Sequence, residues 1–296
     1  MKNVIVSGAN GFIGKKLCQE LIKKGYHVTA LVRHDCSELS ELGCKVYTSM
    51  PEILAESQYE TFFHLAWEGA GGPKRADIDV QMSNVKSTMA YYSLAERSNC
   101  KRFIAIGTIA QKTLEEHNAA FYSKTFVYAA TKNYTKTLLE IAAQNSRCQF
   151  VWATLCGIYG VGDTTGNIIN YTLKGLSNHQ KVEFGPADNW FDFVYIDDVV
   201  NALILLGKSK LSKNDYQIGS GNPRLLKEFL IEAGAALNKK DLIQIGARPD
   251  DGIRYQKEWF SIDALVHDTG YQSSVSFQDG LNKTLEWLLS EEKRYE

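Results

Sequence analysis

A short β-branched run, Val4-Ile5-Val6, is followed at once by three glycines, Gly8, Gly11 and Gly14, and then by apolar residues at helical spacing as far as Ile22. The run reads as a buried parallel strand, so the glycines sit in a strand-to-helix turn. Such a turn directs free backbone N–H groups at one point, on the positive end of a helix dipole. Glycine lets the chain turn tightly there, approach phosphate closely and pack helix on strand. A second strand, His27 to Val32, follows at βαβ distance. The combination points to a dinucleotide pyrophosphate site, whereas the triplet alone would not.

The first half of the chain keeps alternating between strand and helix. Strands are expected at 45–48, 61–66, 102–106 and 149–155, and helices at 51–55, 78–99 and 126–145. Mostly apolar strands between helices imply an α/β fold, a Rossmann-type doubly wound parallel sheet covered on both faces. Ligands of such sheets bind beyond the carboxyl ends of the strands. After Gly160 the pattern breaks into shorter helices, 168–175 and 225–237, between Gly- and Asn-rich loops. The expected organisation is a dinucleotide-binding domain over 1–160, to which 193–206 returns. Residues 161–192 and 207–296 then form mainly a smaller C-terminal substrate lobe.

Bulk properties narrow the class. A net charge of −1 over 296 residues offers no electrostatic case for nucleic acid or a membrane surface as partner. No stretch has the length and apolarity of a membrane span, and the first apolar run is too short for a signal peptide. Six cysteines without CxxC or metal-ligand spacing suit a reducing cytoplasm, and no metal is expected.

Tyr128 and Lys132 lie four apart on an expected helix and so share a face. A lysine beside a phenol lowers its pKa, which lets the tyrosine exchange protons while a nicotinamide exchanges hydride. With 15 tyrosines and 24 lysines in the chain, chance alone gives about one such pair, and the chain has one. The pair gains weight from its place, on a helix that follows a strand ending in the hydroxyl residue Thr108.

The ordered motifs continue beyond these. His64-Leu65-Ala66, Asn84-Val85, Ile106-Gly107-Thr108, Tyr159-Gly160 and Phe193-Val194-Tyr195-Ile196-Asp197-Asp198-Val199 follow one another, then Arg248-Pro249 and Gly280-Leu281 with Trp287. With Gly8-Ala9-Asn10-Gly11-Phe12-Ile13-Gly14 they make the chain resemble the extended short-chain dehydrogenase/reductases, in their nucleotide-sugar epimerase/dehydratase group. The resemblance implies a catalytic triad of Thr108, Tyr128 and Lys132. It implies cofactor contacts from Gly8, Asn10, Gly11, Phe12, Ile13, Gly14, Leu65 and Ala66, as well as Tyr128 and Lys132. It also implies a substrate held by the C-terminal lobe and a homodimer built on the helices near 78–99 and 126–145, with apolar surface from Tyr91, Tyr92 and Phe126. Dehydratases of the group carry an Asp-Glu pair directly after the threonine, where this chain has Ile109 and Ala110, which move no protons. Where related epimerases have an arginine before the Asp-Phe-Val-Tyr segment, this chain has Phe191.

About twenty residues past the glycines, where NAD-specific sites place a carboxylate, stands Arg33, followed by His34 and Asp35. A guanidinium there attracts a 2′-phosphate, which favours NADP(H) and leaves NAD(H) as the alternative. Candidate substrate contacts are Trp67, Asn84, Asn167, Trp190 and Arg248, the last as a phosphate clamp. Packing is an equal reading for Trp67, and Asn84 also suits a role tying backbone beside the helix. His64, inside an apolar strand, reads as a core histidine. Three functions follow in order: NADPH-dependent reduction of a 4-keto nucleotide-linked deoxysugar, 4-epimerisation of a nucleotide sugar on a retained NAD, and cofactor sensing without turnover.

Overall fold

The computed structural model describes residues 2–50, 58–115 and 126–295; the helix expected at 51–55 lies outside them. The first part of the chain runs β1 (Asn3–Ser7), α1 (Phe12–Lys23), β2 (His27–Leu31), α2 (Ser37–Glu41), β3 (Lys45–Tyr47) and β4 (Thr61–His64). It continues through α3 (Ile78–Arg97), β5 (Arg102–Thr108), α4 (Ala110–Glu115), α5 (Val127–Ala143) and β6 (Gln149–Leu155). Beyond these come β7 (Ile158–Tyr159), α6 (Ile168–Ser177), β8 (Val182–Phe184), β9 (Trp190–Phe191), β10 (Val194–Tyr195) and α7 (Ile196–Lys208). The last part comprises β11 (Asp215–Ile218), β12 (Arg224–Leu225), α8 (Leu226–Ala236), β13 (Ile243–Ile245), α9 (Asp263–Thr269) and α10 (Phe277–Tyr295).

Seven strands form one sheet in the order β11-β6-β5-β4-β1-β2-β3, every neighbouring pair parallel. Successive side chains along a strand point to opposite faces, and both faces here are apolar. Val4, Val6, Phe63, Ile104 and Val151 join one core with Leu17 and Leu21 of α1 and Val199 and Leu203 of α7. Their neighbours Ile5, Phe62, Phe103, Phe150 and Trp152 join the other, with Tyr92 of α3 and Leu139 of α5. Hence the strands read as continuous apolar runs rather than alternating ones. The Rossmann-type doubly wound sheet is as expected.

The chain returns to the sheet over a longer stretch than 193–206. α7 packs on α1, with Lys16 Nζ 2.8 Å from an Asp197 carboxylate oxygen, and β11 then adds the edge strand beside β6. The Asp-Asp-Val motif serves the architecture: Asp198, fully buried, accepts hydrogen bonds from Ser273, Ser274 and Val275 and fastens the C-terminal segment to α7. Gly280 is required for a similar reason, since a β-carbon there would run into the Tyr159 hydroxyl.

His64 is a core residue, 3% exposed, its ring nitrogens paired with Ser7 Oγ at 2.7 Å and Thr88 Oγ1 at 2.9 Å. Burial pulls its pKa down to about 3, with the Lys132 charge adding to the effect. The unfolded chain, with histidine near 6.5, therefore takes up the proton first as pH falls. Stability from this neutral imidazole is complete above pH 6.5 and declines from there toward pH 3, by about 2 kcal/mol at pH 5. The urea midpoint is expected to fall between pH 7 and pH 5, and His64→Gln to flatten that fall. Equal slopes in the two proteins would remove His64 from the account.

Candidate active site

The glycine turn lies at the carboxyl end of β1. Gly8 has φ +68°, and a β-carbon on it would lie 2.8 Å from the Ala66 nitrogen. At Gly14 a β-carbon would run into the Gly8 carbonyl oxygen, so the first turn of α1 rests directly on the turn before it. The N-cap of α1 is Gly11, which offers no side chain, whereas Asp77 caps α3 and Asn167 caps α6. The first N–H groups of α1 are thus left for an outside acceptor. These features fit a dinucleotide pyrophosphate.

Two cavities flank this turn. One, of about 370 Å³, is lined by Gly8, Asn10, Gly11, Arg33, Leu65, Ala66 and Glu68, with Asn84, Ser87 and Tyr91 from α3. The other, of about 570 Å³, is lined by Gly8, Gly11, Phe12, Ile13, Gly14 and Leu65. Trp67, Arg75, Thr108, Tyr128, Lys132, Asn167, Phe191 and Tyr255 also line it. The structure therefore brings the glycines together with Thr108, Tyr128 and Lys132 around one cavity at the strand ends. The larger cavity also takes Ile109 and Ala110, which make that part of the wall apolar.

Tyr128 is 7% exposed and Lys132 is 4% exposed. Lys132 Nζ donates to the Ile106 carbonyl at 2.6 Å and lies 3.7 Å from the centre of the Trp67 ring. Burial holds its pKa well below the ordinary lysine range; the carbonyl and the ring face compensate the charge that remains. The expected lowering of the phenol by Lys132 does not hold here. Burial raises Tyr128 above an ordinary phenol, and the groups that oppose the rise are the Arg75 guanidinium and a hydrogen bond with Thr108. Lys132 Nζ is 5.9 Å from the phenol ring centre, whereas Arg75 Cζ lies over that ring at 4.4 Å.

Arg75 and Glu68 belong to no sequence motif. Both belong to the loop after β4, and a charged residue in a loop at the carboxyl end of a central strand is the signal that points to them. Gln81 of α3 is the buried hub of that loop. It accepts from Trp67 Nε1 at 2.9 Å and donates to the Gly69 and Lys74 carbonyls at 3.0 and 2.9 Å. Asn84 likewise accepts from the Glu68 N–H at 2.9 Å and donates to its carbonyl at 2.8 Å.

Other expected substrate contacts move accordingly. Asn84 borders the smaller cavity and holds loop backbone, so it is displaced from the substrate set. Trp190 lies outside the lining of the larger cavity, packed beside Phe260 under Lys257, and its neighbour Phe191 lines the wall instead. Asn167 does line it, while capping α6 and donating to the Asp163 carboxylate. Arg248 opens onto a separate cleft of about 470 Å³ that also borders Gly166 and Ile168. There it donates to the Tyr171 hydroxyl at 2.6 Å. Four carboxylates, of Glu183, Asp188, Asp250 and Asp251, share that cleft with Arg248 and Arg254.

Comparison with known proteins gives the family and the fold. The model of the NAD-dependent epimerase/dehydratase family matches residues 4–219. The chain belongs to this family. It is therefore an NAD(P)-dependent enzyme of the extended short-chain dehydrogenase/reductase type. Relatives include a CDP-abequose synthase of Salmonella typhimurium, 28% identical over 77% of this chain and 78% of its own. A dTDP-4-dehydro-6-deoxyglucose reductase of Escherichia coli is 24% identical over 95% of this chain and 96% of its own. The fold is shared with a UDP-N-acetylglucosamine 4-epimerase from Methanobrevibacter ruminantium, at TM-score 0.80, 17% identity and coverage of 98% and 99% of the two chains. Among the described residues no helix is long and apolar enough to cross a membrane.

Proposed function

We propose that this family member reduces a 4-keto group on a nucleotide-linked deoxysugar with NADP(H). The observation that carries the reading is the Tyr128 hydroxyl. It is buried, which raises its pKa above that of an ordinary phenol, it is hydrogen-bonded to Thr108, and it faces the larger cavity beside the glycine turn, an arrangement suited to a proton donor. Elimination would need an acid–base pair after Thr108, and Ile109 and Ala110 supply none. The one carboxylate among the described lining residues, Asp163, accepts from the Thr165 N–H and from Asn167.

The turn of Gly8, Gly11 and Gly14 would hold a reduced nicotinamide dinucleotide, which would supply the hydride. Thr108 and Tyr128 would hold the carbonyl oxygen, and Tyr128 would donate its proton to that oxygen. Arg75 favours the phenolate left behind, through its charge over the ring. Lys132 fixes Trp67 against one side of the site. Arg248, whose guanidinium keeps donors beyond its bond to Tyr171, is the residue proposed to meet the nucleotide phosphate. A nucleotide-linked substrate is supported by the relatives, a dTDP-4-dehydro-6-deoxyglucose reductase among them. NADP(H) is supported by Arg33, which lines the smaller cavity beside Gly8 and Gly11, although Glu68 in the same cavity pairs with it.

The test is NADPH oxidation against a panel of 4-keto-6-deoxy sugar nucleotides. Turnover with one of them is the expected result. Stoichiometric NAD in the purified protein, with sugar interconversion and no net oxidation, would establish the 4-epimerase instead.

A homodimer is also proposed, with a changed set of contacts. Tyr92 and Phe126 are buried within the protomer, whereas Met82 of α3 and Tyr134 and Ile141 of α5 are exposed on two helices that pack together. Sedimentation equilibrium is expected to give twice the chain mass, and Ile141→Lys to shift the protein toward monomer.

A further inference from the structure

We propose that Glu68 tempers the choice of dinucleotide: its carboxylate engages Arg33 and so limits the preference for a 2′-phosphate that Arg33 would otherwise confer. The proposal rests on the dinucleotide reading of the glycine turn. Arg33 Nη1 meets Glu68 Oε2 at 2.7 Å, and the other carboxylate oxygen takes Lys74 Nζ at 2.6 Å. Arg33 and Glu68 line the same cavity beside Gly8 and Gly11.

The two partners differ in how firmly they are held. The Glu68 backbone is bound on both sides by Asn84 and touched by Gln81 Nε2 at 3.3 Å, and Asn84 and Gln81 are buried on α3. The Arg33 side chain is 75% exposed, more than twice the exposure of Glu68 at 34%. Glu68 is thus the fixed member and Arg33 the adjustable one. An exposed ion pair of this kind is weak and opens readily. What persists when it opens is the carboxylate itself, which repels an incoming phosphate dianion and competes with it for Arg33. NADH carries a hydroxyl in place of that phosphate and meets neither obstacle; a carboxylate accepts from a hydroxyl.

Glu68→Gln removes the charge and keeps the shape. Binding of NADPH and of NADH to the full-length protein, followed by fluorescence titration, is expected to show the NADPH-to-NADH affinity ratio rising about tenfold in the variant. Arg33→Leu separates this effect from general loosening of the loop. It is expected to weaken NADPH binding less than about threefold in the native background and at least about tenfold beside Glu68→Gln, because only there does no carboxylate compete with the phosphate for the guanidinium. An unchanged or falling ratio in Glu68→Gln, or an equal effect of Arg33→Leu in the two backgrounds, would overturn the role of Glu68. Binding of neither dinucleotide to the native protein would overturn the cofactor reading with it. Failure of every keto sugar to turn over leaves these ratios untouched and speaks only against the proposed substrate.

Discussion

Tyr128→Phe is expected to lower kcat about a thousandfold while changing the dinucleotide Kd less than about threefold, the loss typical of removing a general acid. The substitution deletes one hydroxyl and keeps the ring, so the contacts that place it survive. Arg75 still lies over the ring face, and Trp67 still meets its edge at a centroid distance of 6.1 Å. The lost hydrogen bond with Thr108 costs about 1 kcal/mol of stability, far too little to explain the kinetic change. The pH dependence of the native enzyme carries the complementary test. Because burial raises the phenol above its ordinary range, the donor stays protonated through neutral pH. Reduction should then be level across that region and decline only on the alkaline side. A profile that rises with pH through neutrality would mean that Tyr128 acts as a base, and the reductive reading would fail. Turnover that survived in the phenylalanine variant would remove Tyr128 from proton transfer altogether.

What the sequence disclosed about this site, and what it hid, follows from the range of each interaction. The glycine turn is legible because β1, the turn and α1 are contiguous, and the requirement for glycine is a local matter of backbone contact. Tyr128 and Lys132 are legible as a pair because helical geometry alone puts residues four apart on one face. Their electrostatics were not legible. Lys132 turns to the Ile106 carbonyl and the Trp67 ring, and the cation over Tyr128 is Arg75, more than fifty residues earlier in the chain. No periodicity announces such a contact. Arg33 shows the same limit, since its position after β2 marks it but its partner Glu68 follows a different strand. Trp190 failed for a register reason: side chains alternate along β9, and Phe191 rather than Trp190 is the residue that lines the cavity. Asn84 lies on the expected helix, yet its amide holds the Glu68 backbone. In each case the element was readable from the chain, and the partner awaited the packing of loops.

Gly14→Ala is expected to weaken dinucleotide binding at least about a hundredfold, although it adds only one methyl group. The new β-carbon would run into the Gly8 carbonyl oxygen and lie 2.8 Å from Ala9 Cα, both backbone atoms. Gly8 is poorly placed to yield. Its N–H donates to the Leu31 carbonyl at 3.0 Å, its own carbonyl accepts from the Gly11 N–H at 3.0 Å, and Ala66 backbone blocks its other side. Relief therefore requires α1 to lift from the turn, which carries its N–H groups away from the phosphate position. Overpacking of this kind costs about 1–3 kcal/mol, a loss the fold tolerates. Gly11→Ala provides the graded comparison. Its β-carbon would lie 3.2 Å from the same oxygen, a contact relieved by a few tenths of an ångström, so its effect on binding should be about tenfold or less. Thermal unfolding separates binding from folding. A ligand at a hundred times its Kd adds about 2.7 kcal/mol to stability, and this increment should vanish in Gly14→Ala at ligand concentrations that still stabilise Gly11→Ala. Were Gly14→Ala to keep the full increment, the phosphates would have to lie elsewhere than at the start of α1.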